Sequence, residues 1–123
     1  IGALNYKYGE EMVATFSNYG ATSVDLFSPG VKIWSTTPLD TYKYLQGTSM
    51  ASPNVAGVAA MIRSYYPKLS AKQVKQVLMD SGLHTSTPVI VGGEESNIQP
   101  FDSISKSGNT ANLYNALIMA SKM

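Results

Sequence analysis

The alternation of apolar and polar residues predicts several short β-strands in the first third of the chain. Clusters of Ser, Asn, Pro and Gly separate these segments and predict turns, as at Ser17-Asn18-Tyr19-Gly20 and Ser28-Pro29-Gly30. Residues 35–46 follow with no strand assigned and are expected to form a loop. The predicted strands are Ile1–Asn5, Met12–Phe16, Val24–Phe27 and Val31–Trp34.

Helical patterns begin after Gly47. The segment Val55–Ile62 is apolar on every side, which predicts a helix that is buried all round rather than one with a single apolar stripe. Its Ala and Gly residues allow neighbouring backbones to approach closely. Pro53 is expected in the first turn of this helix, where proline is favoured.

A second helix carries stronger local signals. Ser70 is a predicted N-cap, Gln73 occupies the capping-box position, and Val74 is placed to contact Leu69. Gly82 is expected to cap the carboxyl end. Residues 84–110 are predicted to be irregular apart from a strand at 89–91, and a last helix is predicted from about residue 112 to 122.

Length and composition restrict the class of protein. A chain of 123 residues is long enough for one domain and too short for two. The net charge of +1 does not indicate a nucleic-acid or membrane-surface partner. Charged residues make up only 14%, against about 25% in an average soluble domain. Either another part of a larger protein covers the surface, or the surface is polar but uncharged.

Other classes are excluded by single observations. The chain has no cysteine, which excludes disulfides and cysteine-based metal sites. The uncharged segment 46–62 contains Gln46, Pro53 and Asn54, so we expect no membrane span there. The first residues have neither the basic nor the hydrophobic part of a signal peptide.

Ser49 is the principal candidate for chemistry. It lies between Gly47, which permits a sharp turn, and a helix whose free N–H groups and dipole favour a developing oxyanion. The alternative is a structural role, in which Thr48, Ser49 or Ser52 merely caps the helix. The residues alone leave both alternatives open.

The sequence around Ser49 resembles the nucleophile segment of the subtilisin-like serine proteases, the S8 peptidase family. Further segments resemble those of the family in the same order along the chain. The match is close through about Pro67 and looser beyond it. The segments are Ile1–Leu4, Thr15–Gly20, Val24–Val31, Gly47–Gly57 and Ala111–Leu117.

The resemblance implies an α/β fold of three layers (αβα) with a mainly parallel sheet. Residues 1–123 are interpreted as the C-terminal part of such a domain, incomplete as a stand-alone unit. The implied activity is a serine endopeptidase that hydrolyses peptide bonds through an acyl-enzyme. The resemblance also implies a protein that is secreted or located in the cell envelope.

The resemblance assigns roles at matching positions. Ser49 is implied as the nucleophile, and its own N–H as one oxyanion donor. Leu45, Gln46, Thr48 and Met50 are implied on the substrate or leaving-group side. Gly47 and Pro53 are implied at the start of the helix. Asn54 stands where the family usually has histidine, and since that residue is not the triad base we expect only altered packing.

The other members of a catalytic triad are missing. The family order is Asp, His, Ser, and although Asp25 and Asp40 precede Ser49, no histidine does. In subtilisin itself, loss of the triad histidine costs about 10⁶ in kcat, or roughly 8 kcal/mol of barrier. We therefore expect the isolated chain to be inactive, with strand edges and apolar faces exposed for the missing N-terminal half or for self-association.

Two other functions remain open. The order Ser49, Asp80, His84 is that of α/β-hydrolases and suggests a self-contained esterase, although Gly-Thr-Ser-Met-Ala is not their Gly-x-Ser-x-Gly motif. In the alternative interpretation, His84 is a surface residue that complements the carboxyl end of a helix. The third function is a non-catalytic interaction module on the same scaffold.

No cofactor or metal is assigned to the chain. Glu94 and Glu95, with Asn97 and Asp102 nearby, are a candidate for calcium, but a carboxylate pair in a polar loop is more often solvated. Calcium sites known in the family lie largely outside the matched segments. They belong to the full-length domain and are not assignable here.

Overall fold

The computed structural model describes residues 1–123 and contains eight strands, three α-helices and one 3₁₀ turn. The helices are α1 (Thr48–Tyr65), α2 (Ala71–Asp80) and α3 (Leu113–Ser121), and the 3₁₀ turn covers Phe101–Ser103. The strands are β1 (Gly2–Leu4), β2 (Phe27–Pro29), β3 (Ile33–Thr37), β4 (Thr41–Leu45), β5 (Leu83–His84), β6 (Pro88–Ile90), β7 (Ile98–Pro100) and β8 (Asn109–Thr110).

The main sheet has the order β1-β2-β8-β5, and its first three strands are parallel. Because neighbours in register point to the same face, Phe27 and Leu4 lie on one side of the sheet and Ala3 on the other. Phe27 joins an apolar cluster with Phe101 and Ile104. Ala3 packs against Ala51 of α1. The arrangement confirms an α/β fold with a mainly parallel sheet.

The outer edge of β1 is covered, contrary to the expectation of exposed strand edges. Asn5 N donates to Met12 O (2.8 Å), Ala14 N donates to Ala3 O (3.0 Å), and Ala3 N donates to the Ser17 hydroxyl (2.9 Å). The predicted strand Met12–Phe16 is accordingly wrong. This segment forms a single bridge at Val13 and otherwise satisfies the edge of β1 irregularly.

Residues 35–46 form most of a β-hairpin rather than the predicted loop. β3 pairs antiparallel with β4, so the predicted strand Val31–Trp34 begins and ends later than expected. The turn has positive φ at Leu39 (64°) and Asp40 (58°). Such turns are usually signalled by Asn-Gly, and Leu-Asp gives no such signal. The β-branched and aromatic residues beside the turn favour strands.

Two other predicted strands shift rather than disappear. β2 starts at Phe27, the last residue of the predicted Val24–Phe27, and Val24 and Leu26 are buried just ahead of it. β6 corresponds to the strand expected at 89–91 and pairs with β7. The region 84–110 is therefore more ordered than expected.

The capping box of α2 is confirmed. The Ser70 hydroxyl accepts from Gln73 N (3.1 Å), and the Gln73 carboxamide oxygen accepts from Ser70 N (2.8 Å). Gly82 does not form the predicted glycine cap, because it follows the C-cap Ser81 without the positive φ that such a cap requires. A Cβ at Gly82 would lie 2.5 Å from Thr110 O, so glycine is needed there for close approach to β8.

α1 is buried on one face only, so the prediction of all-round burial is wrong for this chain. Its buried residues are Ala51, Val55, Val58 and Ile62, which face the sheet and the other two helices. The opposite face is exposed, including Met61 at 41%. No other part of residues 1–123 covers the apolar side chains of that face. None of the three helices has the length and hydrophobicity needed to span a membrane.

α3 confirms the predicted last helix, with Asn112 as N-cap accepting from Asn115 N (2.8 Å). Its buried residues are Ala116 and Ala120, while Leu113 is exposed. The small alanines allow α3 to pack closely against α1 and α2.

Candidate active site

Ser49 lies in the first turn of α1, which is attached to the carboxyl end of β2. The attachment passes through Gly30, the residue after β2, whose N–H donates to Leu4 O (3.0 Å). Gly30 O in turn accepts from Gly47 N (2.8 Å). Two backbone hydrogen bonds therefore fix the start of α1 relative to the parallel strands.

Two glycines make this junction possible. A Cβ at Gly30 would lie 2.7 Å from the Ala3 Cβ and 2.9 Å from Gly47 O, closer than packed atoms allow. Gly47 has φ of +144°, a conformation that side chains disfavour. Gly30 was not predicted as part of the site. Its Ser-Pro-Gly context indicates a turn, but only the structure shows which backbone approaches it.

The hydroxyl of Ser49 is not a helix cap. The N-cap of α1 is Gly47, and no side chain caps the helix. The capping alternative for Thr48, Ser49 and Ser52 is therefore wrong. Ser49 is exposed to solvent, so its hydroxyl is accessible to a reactant.

The first turn of α1 also leaves backbone donors free. Met50 N and Ala51 N both donate to Gly47 O (2.9 and 3.3 Å). The N–H groups of Thr48 and Ser49 have no backbone acceptor within the chain. These two donors lie at the positive end of the helix dipole, and together they can stabilise a negative oxygen close to Ser49.

The residues around Ser49 differ in exposure. Gln46 is exposed, whereas Leu45, Thr48 and Met50 are half-buried. Pro53 is the sixth residue of α1, so its predicted place in the first turn is wrong. Because proline has no N–H, the carbonyl of Ser49 loses its usual i+4 donor. Asn54 is exposed beside it.

The upstream carboxylates do not contact Ser49. Asp25 is paired with Lys75, with the carboxylate oxygen 3.0 Å from Nζ. Asp40 is exposed in the hairpin turn. Neither is available as an orienting partner for a base next to Ser49 in this arrangement.

The Ser49, Asp80 and His84 set is not assembled. Asp80 accepts from the Gln76 amide (2.6 Å). His84 instead contacts Asn109, Nδ1 to Oδ1 3.1 Å, and Asp102, Nε2 to Oδ2 3.4 Å. His84 is in register with the first residue of β8, at the amino end of the parallel strands. Ser49 follows the carboxyl end of β2, at the opposite end of the sheet.

The acidic residues considered as calcium ligands do not form one group. Glu94 and Glu95 are exposed between β6 and β7, while Asp102 contacts His84. The structure gathers no group of three or more His, Cys, Asp or Glu side chains suited to a metal ion. No ligand set is assigned.

Comparison with known proteins finds relatives among the subtilisin-like peptidases. The model of the subtilase family, Peptidase S8, matches residues 1–113. Subtilisin DY from Bacillus licheniformis is 44% identical over 86 residues, covering 70% of this chain and 31% of that protein. M-protease from Shouchella clausii (strain KSM-K16) is 47% identical over 68 residues, covering 55% of this chain and 18% of that protein.

A solved structure shares the fold. The A-subunit of the AB5 toxin from E. coli aligns with 97% of this chain and 36% of its own length, with a TM-score of 0.74 and 24% identity. The chain thus spans 18% to 36% of the length of these three proteins.

Proposed function

This chain belongs to the subtilase family of S8 peptidases, and from that premise we propose that it carries the nucleophile of a serine endopeptidase. Ser49 Oγ attacks the carbonyl carbon of a peptide bond while its proton passes to a base. The resulting oxyanion accepts from the Ser49 N–H. Collapse breaks the C–N bond and the proton goes to the leaving amine. Water then hydrolyses the acyl-enzyme.

One observation carries the proposal. The solvent-exposed Ser49 hydroxyl is free of any capping role and stands beside two backbone N–H groups without backbone acceptors. A structural serine at a helix start would instead accept from the N2 or N3 N–H, as Ser70 does in α2. The start of α1 therefore lacks the stabilisation of a side-chain cap. In return, the Ser49 hydroxyl and the N–H groups of Thr48 and Ser49 remain free to contact a substrate.

The base and its orienting carboxylate belong, in this proposal, to residues outside this chain. That portion of the catalytic domain docks on the exposed face of α1, which includes Ala56, Gly57, Ala60 and Met61. Without that partner the same face drives self-association. A strictly monomeric, well-folded species by light scattering contradicts this part of the proposal.

The proposal extends to partners and location. The substrate is a polypeptide, with Leu45, Gln46, Thr48 and Met50 on its leaving-group side. No cofactor is assigned to this chain, and calcium would bind elsewhere in the complete domain. The proposed location, secreted or in the cell envelope, follows from membership of the subtilase family.

A fluorophosphonate probe, which labels activated serines, tests the assignment. We expect the 123-residue chain to be labelled only when the rest of the catalytic domain is supplied, and Ser49→Ala to abolish labelling. Labelling of the chain alone that His84→Ala removes would establish the esterase instead. No labelling in either setting would favour the non-catalytic interaction module.

A further inference from the structure

The hairpin β3–β4 carries an exposed aromatic face. Trp34, Tyr42 and Tyr44 project from the same side of the hairpin, because Trp34 pairs with Tyr44 and Tyr42 pairs with Thr36 two residues along. Their exposed fractions are 60%, 57% and 65%. Aromatic rings that remain this exposed form an adhesive surface. We call these three residues the aromatic face.

The rings of the aromatic face are arranged by contact with one another. Trp34 and Tyr42 stack with centroids 6.2 Å apart and planes inclined by 11°. Trp34 and Tyr44 meet edge to face at 4.9 Å. These contacts restrict the side-chain rotamers before any ligand arrives, which lowers the entropy cost of binding. The surface is therefore preorganised.

The backbone beside the aromatic face is unpaired. β3 and β4 form a sheet of two strands, and no backbone hydrogen bond joins residues 33–45 to another part of the chain. The outer edge of β4 consequently presents free N–H and C=O groups. An extended polypeptide can pair with such an edge and place alternate side chains on one face. This edge favours a peptide over other ligands of aromatic surfaces.

The position of β4 close to Ser49 indicates that the ligand of the aromatic face is the polypeptide substrate. β4 ends at Leu45, and only Gln46, Gly47 and Thr48 separate it from Ser49. Tyr44 lies five residues and Tyr42 seven residues before Ser49. Extended chains rise about 3.3 Å per residue. Because the chain turns at Gly47 between β4 and α1, an extended substrate running along β4 reaches Tyr44 and Tyr42 after no more than about five and seven residues.

We propose that the aromatic face binds the segment of the polypeptide substrate about five to seven residues beyond the scissile bond on the leaving-group side. It prefers aromatic side chains or proline there. The inference rests on the proposed function, because Ser49 supplies the origin of this numbering. It adds to that function a distal determinant of specificity formed by Trp34, Tyr42 and Tyr44.

Trp34 is the only tryptophan of the chain, so its fluorescence reports directly on this surface. The probes are two peptides that differ at two positions, five and seven residues beyond a central bond, where the first peptide has aromatic residues and the second has alanines. We expect saturable quenching or a blue shift with the first peptide, and at least about fivefold weaker binding of the second.

Variants separate this site from nonspecific adhesion. Tyr42→Thr keeps a strand-forming residue and is expected to weaken the first peptide about fivefold, whereas Tyr42→Phe restores binding. Tyr114→Ala, on α3 and 73% exposed, is the control and leaves affinity unchanged. In the complete protein, Tyr42→Thr should raise KM for the first peptide and leave kcat unchanged.

The outcomes distinguish this inference from the proposed function. Equal affinity for both peptides, or saturable binding of an oligosaccharide in place of a peptide, overturns the inference. Ser49→Ala should bind the first peptide as well as the parent chain does. If binding is selective but the complete protein is never labelled by fluorophosphonate, the proposed function fails instead.

Discussion

The helices α1 and α2 begin in opposite ways. α2 starts with a complete capping box, in which Ser70 and Gln73 satisfy each other's backbone N–H groups. α1 starts at Gly47 with no side-chain cap and contains Pro53 within its second turn. α2 has strong local signals for its start, whereas α1 lacks them.

The difference shows where each helix obtains its stability. α2 is an amphipathic helix whose stripe of Val74, Val77 and Leu78 is buried. α1 depends on tertiary contacts, through its buried face and the junction at Gly30 and Gly47. Breaks in local rules tend to occur at functional positions. The uncapped start of α1 is such a position, since it keeps Ser49 and its N–H free.

The largest effect is expected from the buried face of α1. Ile62→Ala removes a fully buried side chain and should lower the free energy of unfolding by about 2–5 kcal/mol. Met61→Ala, its exposed neighbour, should change it by less than about 0.5 kcal/mol in this chain. Urea denaturation of both variants measures the contrast. A large loss for Met61→Ala in the complete protein but not here would identify the covered face.

The next effect concerns the junction at the start of α1. Gly30→Ala introduces a Cβ into contact with Ala3 and Gly47, and should destabilise by about 1–3 kcal/mol. Gly57→Ala is the matched control, since its Cβ would meet no atom within 4 Å. That change should stabilise the helix by about 0.5–1 kcal/mol. Similar melting temperatures for the two variants would refute the proposed role of Gly30.

The smallest change in stability compares the two helix starts directly. Ser70→Ala removes the cap of α2 and should cost about 1 kcal/mol. Ser49→Ala should alter stability by less than about 0.5 kcal/mol, because its hydroxyl caps nothing. Thermal unfolding measures both. A loss of about 1 kcal/mol for Ser49→Ala would mean that its hydroxyl stabilises α1 after all.

The sequence was most informative where a signal is local. The capping box at Ser70 and Gln73 and the last helix lie where the sequence predicts them. The hairpin was missed because its turn, Leu39-Asp40, uses positive φ without the Asn-Gly that normally indicates it. The segment Met12–Phe16 alternates like a strand, but it pairs with β1 through only one bridge.

The amino-acid sequence by itself determined the family, the α/β class and the identity of Ser49 as the candidate nucleophile, because these depend on residues close together in the chain. Only the tertiary structure decided that Gly30 contacts the start of α1 and that three aromatic rings share one face of the hairpin. It also placed His84 and Ser49 at opposite ends of the parallel strands. Those facts depend on contacts between segments distant in sequence, and such contacts are fixed by packing and strand register rather than by local preference.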